Sequence, residues 1–460
     1  MFLEHLITSG LNALTRKPKR QPMGLLLGHT PEAPHRSVVW PDRYRCEHAV
    51  VIGKTGTGKT YFLERLALQI AERGEGFAFF DFHGDASLSL IGRLQRLPQS
   101  RERLVVLDPS HPTMSPGLNV LEANGNETER FRRVSEISSI LRARWGVDAF
   151  GARTEELLRN SLYTLASGTC TLADLPRLLT DAAFRATLTR NLEHPDIASY
   201  WRDRYEPLSD AMKGAFREPL LNRVTAFLTE PAARHLLSQR ETTIDAAGIT
   251  AGRQWLVIRL PKGRLREHAH TLGNLLFAQL QFAAMAREQL PKEARSTFTL
   301  ICDEVQNLAE NDLATLITEG RKFGISVITA NQFWEQLPRE LRGCFLSAAS
   351  HIVFRVSTQD GHMLGSELSP RGRHLGLELT ELGRGEAVAR LGPQFLSRFK
   401  VPTLPSVPPA ANSDLDDWVA PISRLRMDIE AELRRKPAVD EPIEIPRRID
   451  TGEGEGHHGW

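Results

Sequence analysis

The stretch that decides the fold is His48-Ala49-Val50-Val51-Ile52-Gly53-Lys54-Thr55-Gly56-Thr57-Gly58-Lys59-Thr60. Its apolar, β-branched residues 50–52 predict a short buried strand, and residues 61–71 predict the helix that follows. Between them, residues 53–60 fit the pattern G-x-x-x-x-G-K-[ST] of a phosphate-binding loop. A chance match in a glycine turn would not need a strand before it and a helix after it. The stretch therefore predicts a nucleotide-binding loop.

The residue types of this loop suit phosphate binding. Glycines let backbone N–H groups close around phosphates, and the following helix adds the positive end of its dipole. Lys59 is expected to contact the β- and γ-phosphates, and the Thr60 hydroxyl is expected to ligate Mg²⁺. We therefore predict a site for ATP and Mg²⁺. The residues expected to contact the nucleotide are Gly53, Thr55, Gly56, Thr57, Gly58, Lys59, Thr60 and Tyr61.

The composition is that of a globular protein without a strong overall charge. The 460 residues are 41% hydrophobic and 25% charged, which suggests about two or three domains. The 58 basic and 56 acidic residues give a net charge of +2, so a DNA-binding surface would have to be local, as in the pore of a ring. The cysteines have no CxxC or Cys/His spacing, which indicates reduced thiols in a cytoplasmic protein without zinc or disulfides. They are Cys46, Cys170, Cys302 and Cys344.

No apolar run approaches the ~20 residues that a membrane span needs. Residues 2–14 are mildly amphipathic and precede the basic residues 16–20, an order opposite to that of a signal peptide. Two interpretations stay open for this segment: contact with anionic lipid, DNA or a partner protein, or a loosely held helix with a solvated basic tail. We expect a cytoplasmic protein, either free or peripheral to the inner membrane.

Apolar runs typical of buried strands occur in two separate parts of the chain. They predict strands at residues 50–52, 76–81, 103–108, 254–260, 297–303, 324–330, 350–356 and 386–391. Continuous apolar runs are typical of parallel strands that are covered on both faces. Strands that alternate with helices predict an α/β fold with a doubly wound, mostly parallel sheet. Residues 23–47, rich in Pro, His and Arg, are expected to wrap this domain as a lead-in segment.

Helical periodicity without strand signals runs from about residue 128 to residue 247. It predicts an all-helical domain inserted into the α/β domain. A charged helix is predicted near residues 421–435, and residues 442–460 are expected to be disordered. The expected domains are an N-terminal segment (1–22), an ATPase domain (23–123 and 250–400), the helical insertion (124–249) and a Pro-rich tail (401–460).

A second strand end carries the acids that a phosphate loop requires. An apolar run ends in Asp303 and Glu304. Asp303 is expected to hold Mg²⁺ through water, and Glu304 is expected to orient the attacking water as general base. The next strand ends 28 residues after Glu304 at Gln332, an amide placed to sense the γ-phosphate; a loop-capping side chain is the alternative.

Together these motifs resemble those of the HerA–FtsK superfamily of P-loop motors. Within it, the chain is most similar to type IV secretion coupling proteins and conjugative-transfer ATPases. The similarity covers about residues 25–391, including the helical insertion, and implies a RecA-like P-loop NTPase domain. The segments that carry it are 53–60, Asp303-Glu304, Glu319-Gly320-Arg321-Lys322-Phe323-Gly324, Asn331-Gln332, Asp81-Phe82-His83-Gly84-Asp85 and Phe354-Arg355-Val356 with Asp360.

The resemblance implies a ring, usually hexameric, that hydrolyses ATP between subunits and moves DNA through its pore. It also implies that an arginine before the sensor strand reaches the neighbouring subunit's nucleotide, a role that falls on Arg321. We expect Arg321 near the sheet edge that carries Gln332; a solvated helix end is the alternative. The expected catalytic residues are then Lys59, Glu304, Gln332 and Arg321.

His83 and Asp85 follow the strand at 76–81 and have two open interpretations. One places them near the γ-phosphate or the metal, and the other has them fix the turn after the strand.

Coupling proteins usually carry N-terminal transmembrane helices, which are not found in this sequence, so direct anchoring to a channel is not expected. The candidate settings are conjugative or mobile-element DNA transfer and HerA-like DNA processing or defence. The candidate partners are DNA, a relaxase, a nuclease and a secretion-channel component. Two alternatives stay open: an ATPase that docks on a partner without moving DNA, and a nucleotide-gated scaffold, which would not need Glu304.

Overall fold

The computed structural model describes residues 24–122, 127–168, 170–190, 192–308, 310–337, 339–368, 375–392 and 395–434. The amphipathic stretch at 2–14, the basic run at 16–20 and the tail at 442–460 lie outside the described residues. The chain divides into two compact units. Of the described residues, the first unit contains those up to Leu107, Ala246–Gly263 and Gln279–Trp418, and the second contains Asp108–Asp245, Arg264–Ala278 and those after Trp418.

The first unit is built on an eleven-stranded sheet. The strands of the described chain are β1 (Gly24–His29), β2 (Ser37–Pro41), β3 (Ala49–Ile52), β4 (Gly76–Asp81), β5 (Leu104–Leu107), β6 (Met114–Pro116), β7 (Trp255–Arg259), β8 (Phe298–Cys302), β9 (Ile325–Asn331), β10 (Ser350–Val353), β11 (Glu386–Leu391), β12 (Phe395–Lys400) and β13 (Ser423–Leu425). The order in the large sheet is β2-β1-β12-β11-β10-β3-β9-β8-β4-β7-β5. From β10 to β5 all neighbours are parallel, and from β2 to β10 all are antiparallel.

The central strands are buried along their whole length. Every residue of β3, β4, β8 and β9 is buried, as expected for apolar parallel strands covered on both faces. All eight strands that the sequence predicts are present. The predicted α/β class with a mostly parallel sheet is confirmed.

Three strands of the large sheet were not predicted. Residues 23–47 were expected to wrap the domain as a lead-in segment, and this expectation is wrong because β1 and β2 pair as antiparallel strands of the sheet. β12 extends the same antiparallel part. β1 carries glycines at both ends of its apolar run, and Gly28 lies against the Lys400 carbonyl, where a Cβ atom would not fit. Because glycine weakens the signal of a short strand, the sequence of β1 did not predict a strand.

The helices of the described chain are α1 (Lys59–Glu72), α2 (Asp85–Leu94), α3 (Ser100–Arg103), α4 (Glu127–Trp145), α5 (Ala152–Ser167), α6 (Leu175–Thr180), α7 (Ala182–Arg190), α8 (Pro195–Ser199), α9 (Asp210–Thr229), α10 (Pro231–Leu237), α11 (Ala246–Gly248), α12 (Lys262–Leu265), α13 (His268–Ala286), α14 (Glu310–Glu319), α15 (Arg339–Leu346), α16 (Thr358–Leu368), α17 (Gly376–Glu381), α18 (Asp416–Val419) and α19 (Arg426–Arg434). No described helix combines the length and the apolar composition needed to cross a bilayer.

The second unit is mainly helical. Helices α4 to α10 bury apolar residues at helical spacing, such as Leu157, Leu158 and Leu162 of α5. The indole of Trp201 donates a hydrogen bond to Thr164 Oγ1 over 2.8 Å, which satisfies its polar atom inside this core. The described residues between 127 and 245 form no strand, so the predicted helical character of this part is confirmed. The domain boundaries stay a prediction.

Candidate functional site

The carboxyl ends of four neighbouring parallel strands meet at one edge of the large sheet. The strands β3, β9, β8 and β4 lie side by side in that order. Ile52 pairs with Asn331, and Phe80 pairs with Cys302. The loops after such strands project from the same edge. This edge therefore brings together the phosphate loop after β3, the acids after β8 and the glutamine after β9.

The loop between β3 and α1 leaves one side of its backbone open. Gly56 and Gly58 have φ angles of 77° and 106°, in the left-handed region that favours glycine. A Cβ atom added at Gly56 would meet no described atom within 4 Å, whereas one at Gly53 would lie 2.6 Å from the Cβ atom of Phe354. No described side chain caps the start of α1, so its first N–H groups are available to an anion.

Lys59 is the first residue of α1 and is only 7% exposed. Its ammonium group donates hydrogen bonds to the carbonyl of Gly53 and, over 3.1 Å, to the carbonyl of Lys54. Burial lowers the pKa of Lys59, and the charges of Asp303 and Glu304 act in the opposite direction. The loop thus holds a buried cation through neutral carbonyls, and a phosphate group fits as the counter-charge.

Thr60 and Asp303 form a direct pair between α1 and the end of β8. Thr60 Oγ1 donates to Asp303 Oδ2 over 2.8 Å, and the backbone N–H of Glu304 donates to Asp303 Oδ1 over 3.0 Å. Asp303 is 4% exposed. Burial raises its pKa, and the hydrogen bond from Thr60 opposes this effect. Hydroxyl and carboxylate oxygens are ligands that Mg²⁺ accepts, so these two residues fit a magnesium site.

Glu304 is held through both its backbone and its carboxylate. Its φ angle is 57°, and its carbonyl accepts a hydrogen bond from Asn307 Nδ2 over 2.7 Å. Glu304 Oε1 accepts from Gln332 Nε2 over 2.6 Å and lies 3.5 Å from His83 Nε2. Its Oε2 accepts from Gln306 Nε2 over 2.7 Å. A left-handed backbone at a residue other than glycine is often found at functional sites, and here it coincides with a carboxylate fixed by two amides.

Gln332 joins the phosphate loop to Glu304. Its Oε1 accepts a hydrogen bond from Thr55 Oγ1 over 2.9 Å while its Nε2 donates to Glu304. The side chain therefore bridges two predicted parts of the site rather than capping its own loop. Its role as a γ-phosphate sensor stays a prediction.

Two predicted nucleotide contacts use their hydroxyl groups within the protein. Thr57 is fully buried and donates to the carbonyl of Lys54 over 2.7 Å. The Tyr61 hydroxyl accepts a hydrogen bond from the backbone N–H of Leu404. The Thr57 hydroxyl proton is therefore already used within the loop, whereas the Tyr61 hydroxyl keeps its own proton for donation. A contact of either residue with a nucleotide stays a prediction.

Arg321 lies at the opposite edge of the sheet from Gln332. It belongs to the turn Gly320–Phe323 just before β9, whereas Gln332 follows β9. The seven residues of β9 span about 23 Å, so the expectation that Arg321 lies near the edge that carries Gln332 is wrong. The Arg321 side chain is 67% exposed and pairs with Glu47 Oε1 at 2.9 Å. A role for Arg321 in catalysis would therefore require the nucleotide of another subunit.

The turn after β4 is fixed by Asp81. Its Oδ1 accepts from the backbone N–H groups of His83 and Gly84, both over 2.9 Å, and its Oδ2 accepts from that of Ser87 over 2.7 Å. Since Asp81 organises the turn, the side chains of His83 and Asp85 are not needed for it. The His83 side chain is 58% exposed and lies beside the site. Asp85 is exposed in the first turn of α2, where an acid favours the helix dipole.

Three polar residues around Glu304 were not predicted from the sequence: Lys262, Gln306 and Asn307. Lys262 Nζ donates to Asn307 Oδ1 over 3.0 Å and lies 5.7 Å from the centre of the Phe82 ring. Burial lowers the pKa of Lys262, and the charge of Glu304 opposes this effect. Lys262 comes shortly after β7, which pairs with β4. A lysine after a predicted strand was a visible signal, but its proximity to Glu304 depends on the order of strands in the sheet.

No family model matches the chain, and no curated protein matches it either. Several solved structures match its fold. The plasmid coupling protein TrwB, in complex with the non-hydrolysable ATP analogue ADPNP, has a TM-score of 0.61 and 19% identity, with 88% of this chain and 93% of that chain covered. TrwB in complex with ADP and Mg²⁺ has a TM-score of 0.56 and 18% identity, with the same coverage of 88% and 93%.

VirB4 of Thermoanaerobacter pseudethanolicus also matches, with a TM-score of 0.55 and 14% identity, covering 85% of this chain and 99% of that chain. At identities this low, a likeness shows the fold. The resemblance that the motifs predict is confirmed at that level: the chain has the P-loop NTPase fold found in the conjugative coupling protein TrwB and in VirB4.

Proposed function

We propose that this chain is an ATPase that hydrolyses ATP with Mg²⁺ at the edge formed by the phosphate loop, Asp303 and Glu304. The observation that carries the proposal is the contact between Thr60 and Asp303 beside Lys59, a buried cation whose hydrogen-bond partners are neutral carbonyls. The nucleotide-bound structures of TrwB, which share the fold, support it.

Glu304 acts as the general base in this reaction. The oxygen of a water molecule forms a bond to the γ-phosphorus, and the bond from that phosphorus to the bridging oxygen breaks, its electron pair leaving with ADP. One water proton passes to the Glu304 carboxylate, and the other stays on the phosphate product. Lys59 stabilises negative charge on the phosphate oxygens. Thr60 and Asp303 would hold Mg²⁺, which when bound supplies further positive charge to the phosphates.

We further propose that copies of this chain form a ring, a hexamer, that translocates DNA in conjugative transfer, DNA processing or defence. The shared fold with a conjugative coupling protein supports this use of ATP. Arg321 supports the ring, since it is exposed and lies at the sheet edge away from its own phosphate loop. The proposed partners are DNA and a relaxase, a nuclease or a secretion-channel component. The proposed location is the cytoplasm, either free or at the inner membrane.

A second candidate function is an ATPase that docks on a partner protein and does not move DNA. The observation that favours it is the small net charge of +2, because DNA-binding proteins usually carry a strong basic field.

ATP hydrolysis measured without DNA, with duplex DNA and with single-stranded DNA tests the proposal. We expect DNA to raise the rate several-fold, and the stimulation to weaken as salt rises because phosphate contacts release counterions. Lys59→Ala protein prepared in the same way controls for contaminating ATPases. Turnover that DNA does not change would support the docked ATPase. Turnover no higher than that of the control would contradict both candidates.

A further inference from the structure

His83 carries an exposed imidazole that lies beside the general base and is not needed for its own turn. Its side chain is 58% exposed, and its Nε2 atom lies 3.5 Å from Glu304 Oε1. The turn is held by Asp81, whose Oδ1 accepts from the backbone N–H groups of His83 and Gly84. The backbone therefore fixes the position of the residue, and the imidazole is available for a function in the site.

The Glu304 carboxylate does not need His83 to orient it. Gln332 Nε2 donates to one of its oxygens over 2.6 Å, and Gln306 Nε2 donates to the other over 2.7 Å. Each carboxylate oxygen is thus already held by an amide N–H group. The contact with the imidazole is additional, so it is better explained by a chemical role than by a positioning role.

His83 is also the one basic side chain of the described chain within 4 Å of the Glu304 carboxylate. The charges of Lys59, Lys262 and Asp303 act on Glu304 as well. The ammonium group of Lys59 donates to backbone carbonyls, and that of Lys262 donates to an amide oxygen. Neither lysine forms an ion pair with the general base, whereas the imidazole lies next to it.

The proposed reaction leaves a proton on Glu304 that has to be removed. A carboxylic acid cannot act as base again until it has lost this proton. The Glu304 side chain is only 12% exposed, and the amide N–H groups that hold it cannot accept a proton. A neutral imidazole has an acceptor nitrogen and takes up and releases protons readily near neutral pH. The exposed imidazole of His83 therefore offers a route from the half-enclosed carboxyl group to solvent.

We propose that His83 removes the proton from Glu304 after each hydrolysis step, an inference that rests on the proposed function. The O–H bond of the Glu304 carboxylic acid breaks, and its proton bonds to His83 Nε2. This transfer restores the carboxylate and leaves an imidazolium, which then releases a proton to water or buffer. The separation of 3.5 Å is longer than a hydrogen bond, and catalytic contacts of this kind often shorten when the substrate binds.

The test compares the first turnover with the steady state in His83→Gln, which keeps a polar side chain that cannot take up a proton. Because the Glu304 carboxylate is ready at the start, hydrolysis of ATP by excess protein should keep the wild-type rate. With ATP in excess and dilute HEPES as buffer, kcat should fall by about 10- to 100-fold, since each later cycle waits for the proton to leave. An equal loss in both measurements, or wild-type kcat, would overturn the inference.

The matched control is His35→Gln. His35 is exposed in the turn between β1 and β2, and β1 is separated from β3 by three strands of the sheet. This variant should keep the wild-type rate in the first turnover and in the steady state.

Added imidazole gives a second measurement. In His83→Ala the shortened side chain opens space beside Glu304, so neutral imidazole in solution should raise kcat in proportion to its concentration. It should change neither the wild-type kcat nor that of Glu304→Gln, which has no carboxyl proton to remove. A lowered kcat in His83→Ala that imidazole does not raise would overturn the inference. Wild-type kcat in Glu304→Gln would instead overturn the proposed function.

Discussion

Two regions of the molecule bury charged side chains and hold them in opposite ways. At the nucleotide edge of the first unit, Lys59 is 7% exposed and bonds only backbone carbonyls among the described groups. In the second unit, Arg185 is 5% exposed, but its guanidinium bonds Glu206 Oε1 over 2.6 Å and the carbonyl of Leu178 over 3.0 Å. It also lies 5.3 Å from the centre of the Tyr205 ring.

The difference separates charges kept for a ligand from charges kept for the fold. A buried ammonium group without a bonded counter-ion is unfavourable, and burial lowers the pKa of Lys59 for the same reason. Arg185 meets a carboxylate, a carbonyl and an aromatic face, so its charge is compensated without a ligand. Removing a charge that is kept for a ligand, such as that of Lys59, should impair catalysis and leave stability unchanged. Disrupting a charge that is compensated within the fold, such as that of Arg185, should lower stability and leave nucleotide binding unchanged.

Replacing Lys59 by alanine should have the largest effect. We expect tight ATP binding and turnover to be lost, because the phosphates lose their buried counter-charge. The free energy of unfolding should not fall, since the wild-type protein bears the cost of burying an unpaired ammonium group. Nucleotide titration and urea unfolding of the same preparation measure the two effects. An unchanged ATPase rate would contradict the assignment of the phosphate loop.

Arg321 extends the comparison to an exposed charge. Its pair with Glu47 lies at the surface, where such pairs contribute little stability, so Arg321→Ala should fold normally. If Arg321 acts on the nucleotide of a neighbouring subunit, its loss should reduce turnover by about 10³–10⁵, the range known for arginines supplied to GTPases. The ATPase rate of the variant, in rings of verified size, measures this effect.

Mixed rings test whether Arg321 acts between subunits. Arg321→Ala and Lys59→Ala subunits are each expected to be inactive alone. In a mixed ring some interfaces pair an intact phosphate loop with an intact Arg321, so partial activity should return. No recovery in verified mixed rings would count against action between subunits, and full activity of Arg321→Ala alone would eliminate the role.

The parallel core of the fold was predictable because strands that are buried on both faces have continuous apolar sequences. β4 and β11 have the predicted bounds. β12 was not predictable in the same way, since five of its six residues are half-buried or exposed and two of these, Arg398 and Lys400, are charged. Short strands on the antiparallel side depend on their neighbours in the sheet more than on their own composition.

The residues of the site also divide into those that the sequence could predict and those that it could not. Lys59, Thr60, Asp303 and Glu304 were predictable because phosphate and metal chemistry requires those residue types at the ends of strands. Lys262 was not, because its proximity to Glu304 arises from the long-range pairing of β7 with β4. The position of Arg321 was predicted wrongly although the order of motifs could have given it, since a residue that precedes a strand and one that follows it lie at opposite ends of that strand.

Glu206→Gln tests the buried charge of Arg185, which is compensated within the fold. It leaves the buried guanidinium of Arg185 without its counter-ion, and we expect a loss of about 2 kcal/mol in the free energy of unfolding, less than for a fully buried pair because the Glu206 side chain is 43% exposed. Nucleotide affinity should not change. Asp203→Asn is the matched control, because its pair with Arg202 is exposed on both sides, and it should leave unfolding in urea unchanged. Equal losses in the two variants would contradict the distinction.

Glu64 is the intermediate case, a buried acid next to the nucleotide edge that has no ion pair among the described residues. It is 6% exposed, and Ser89 Oγ donates to its Oε2 over 2.6 Å. Burial raises its pKa to about 7 from a usual value of 4.5, with smaller contributions from Asp81 and Asp303 in the same direction and from Ser89 and Arg93 in the opposite one. The folded protein therefore keeps a proton on Glu64 at pH values where the unfolded chain has released it.

This shift predicts an effect of pH on stability, and its sign follows from the protons bound. Between the unfolded pKa of 4.5 and the folded pKa of about 7, the folded state binds more protons, so stability falls as pH rises. Glu64→Gln cannot ionise and should escape this loss. Relative to wild type, its free energy of unfolding should rise by about 3 kcal/mol between about pH 5 and about pH 8. Urea unfolding of both proteins across this range measures the difference, with Glu102→Gln at an exposed position of α3 as the matched control. A difference that is the same at both ends of the range would show that Glu64 is already ionised in the fold, and would place it with the compensated charges of the second unit.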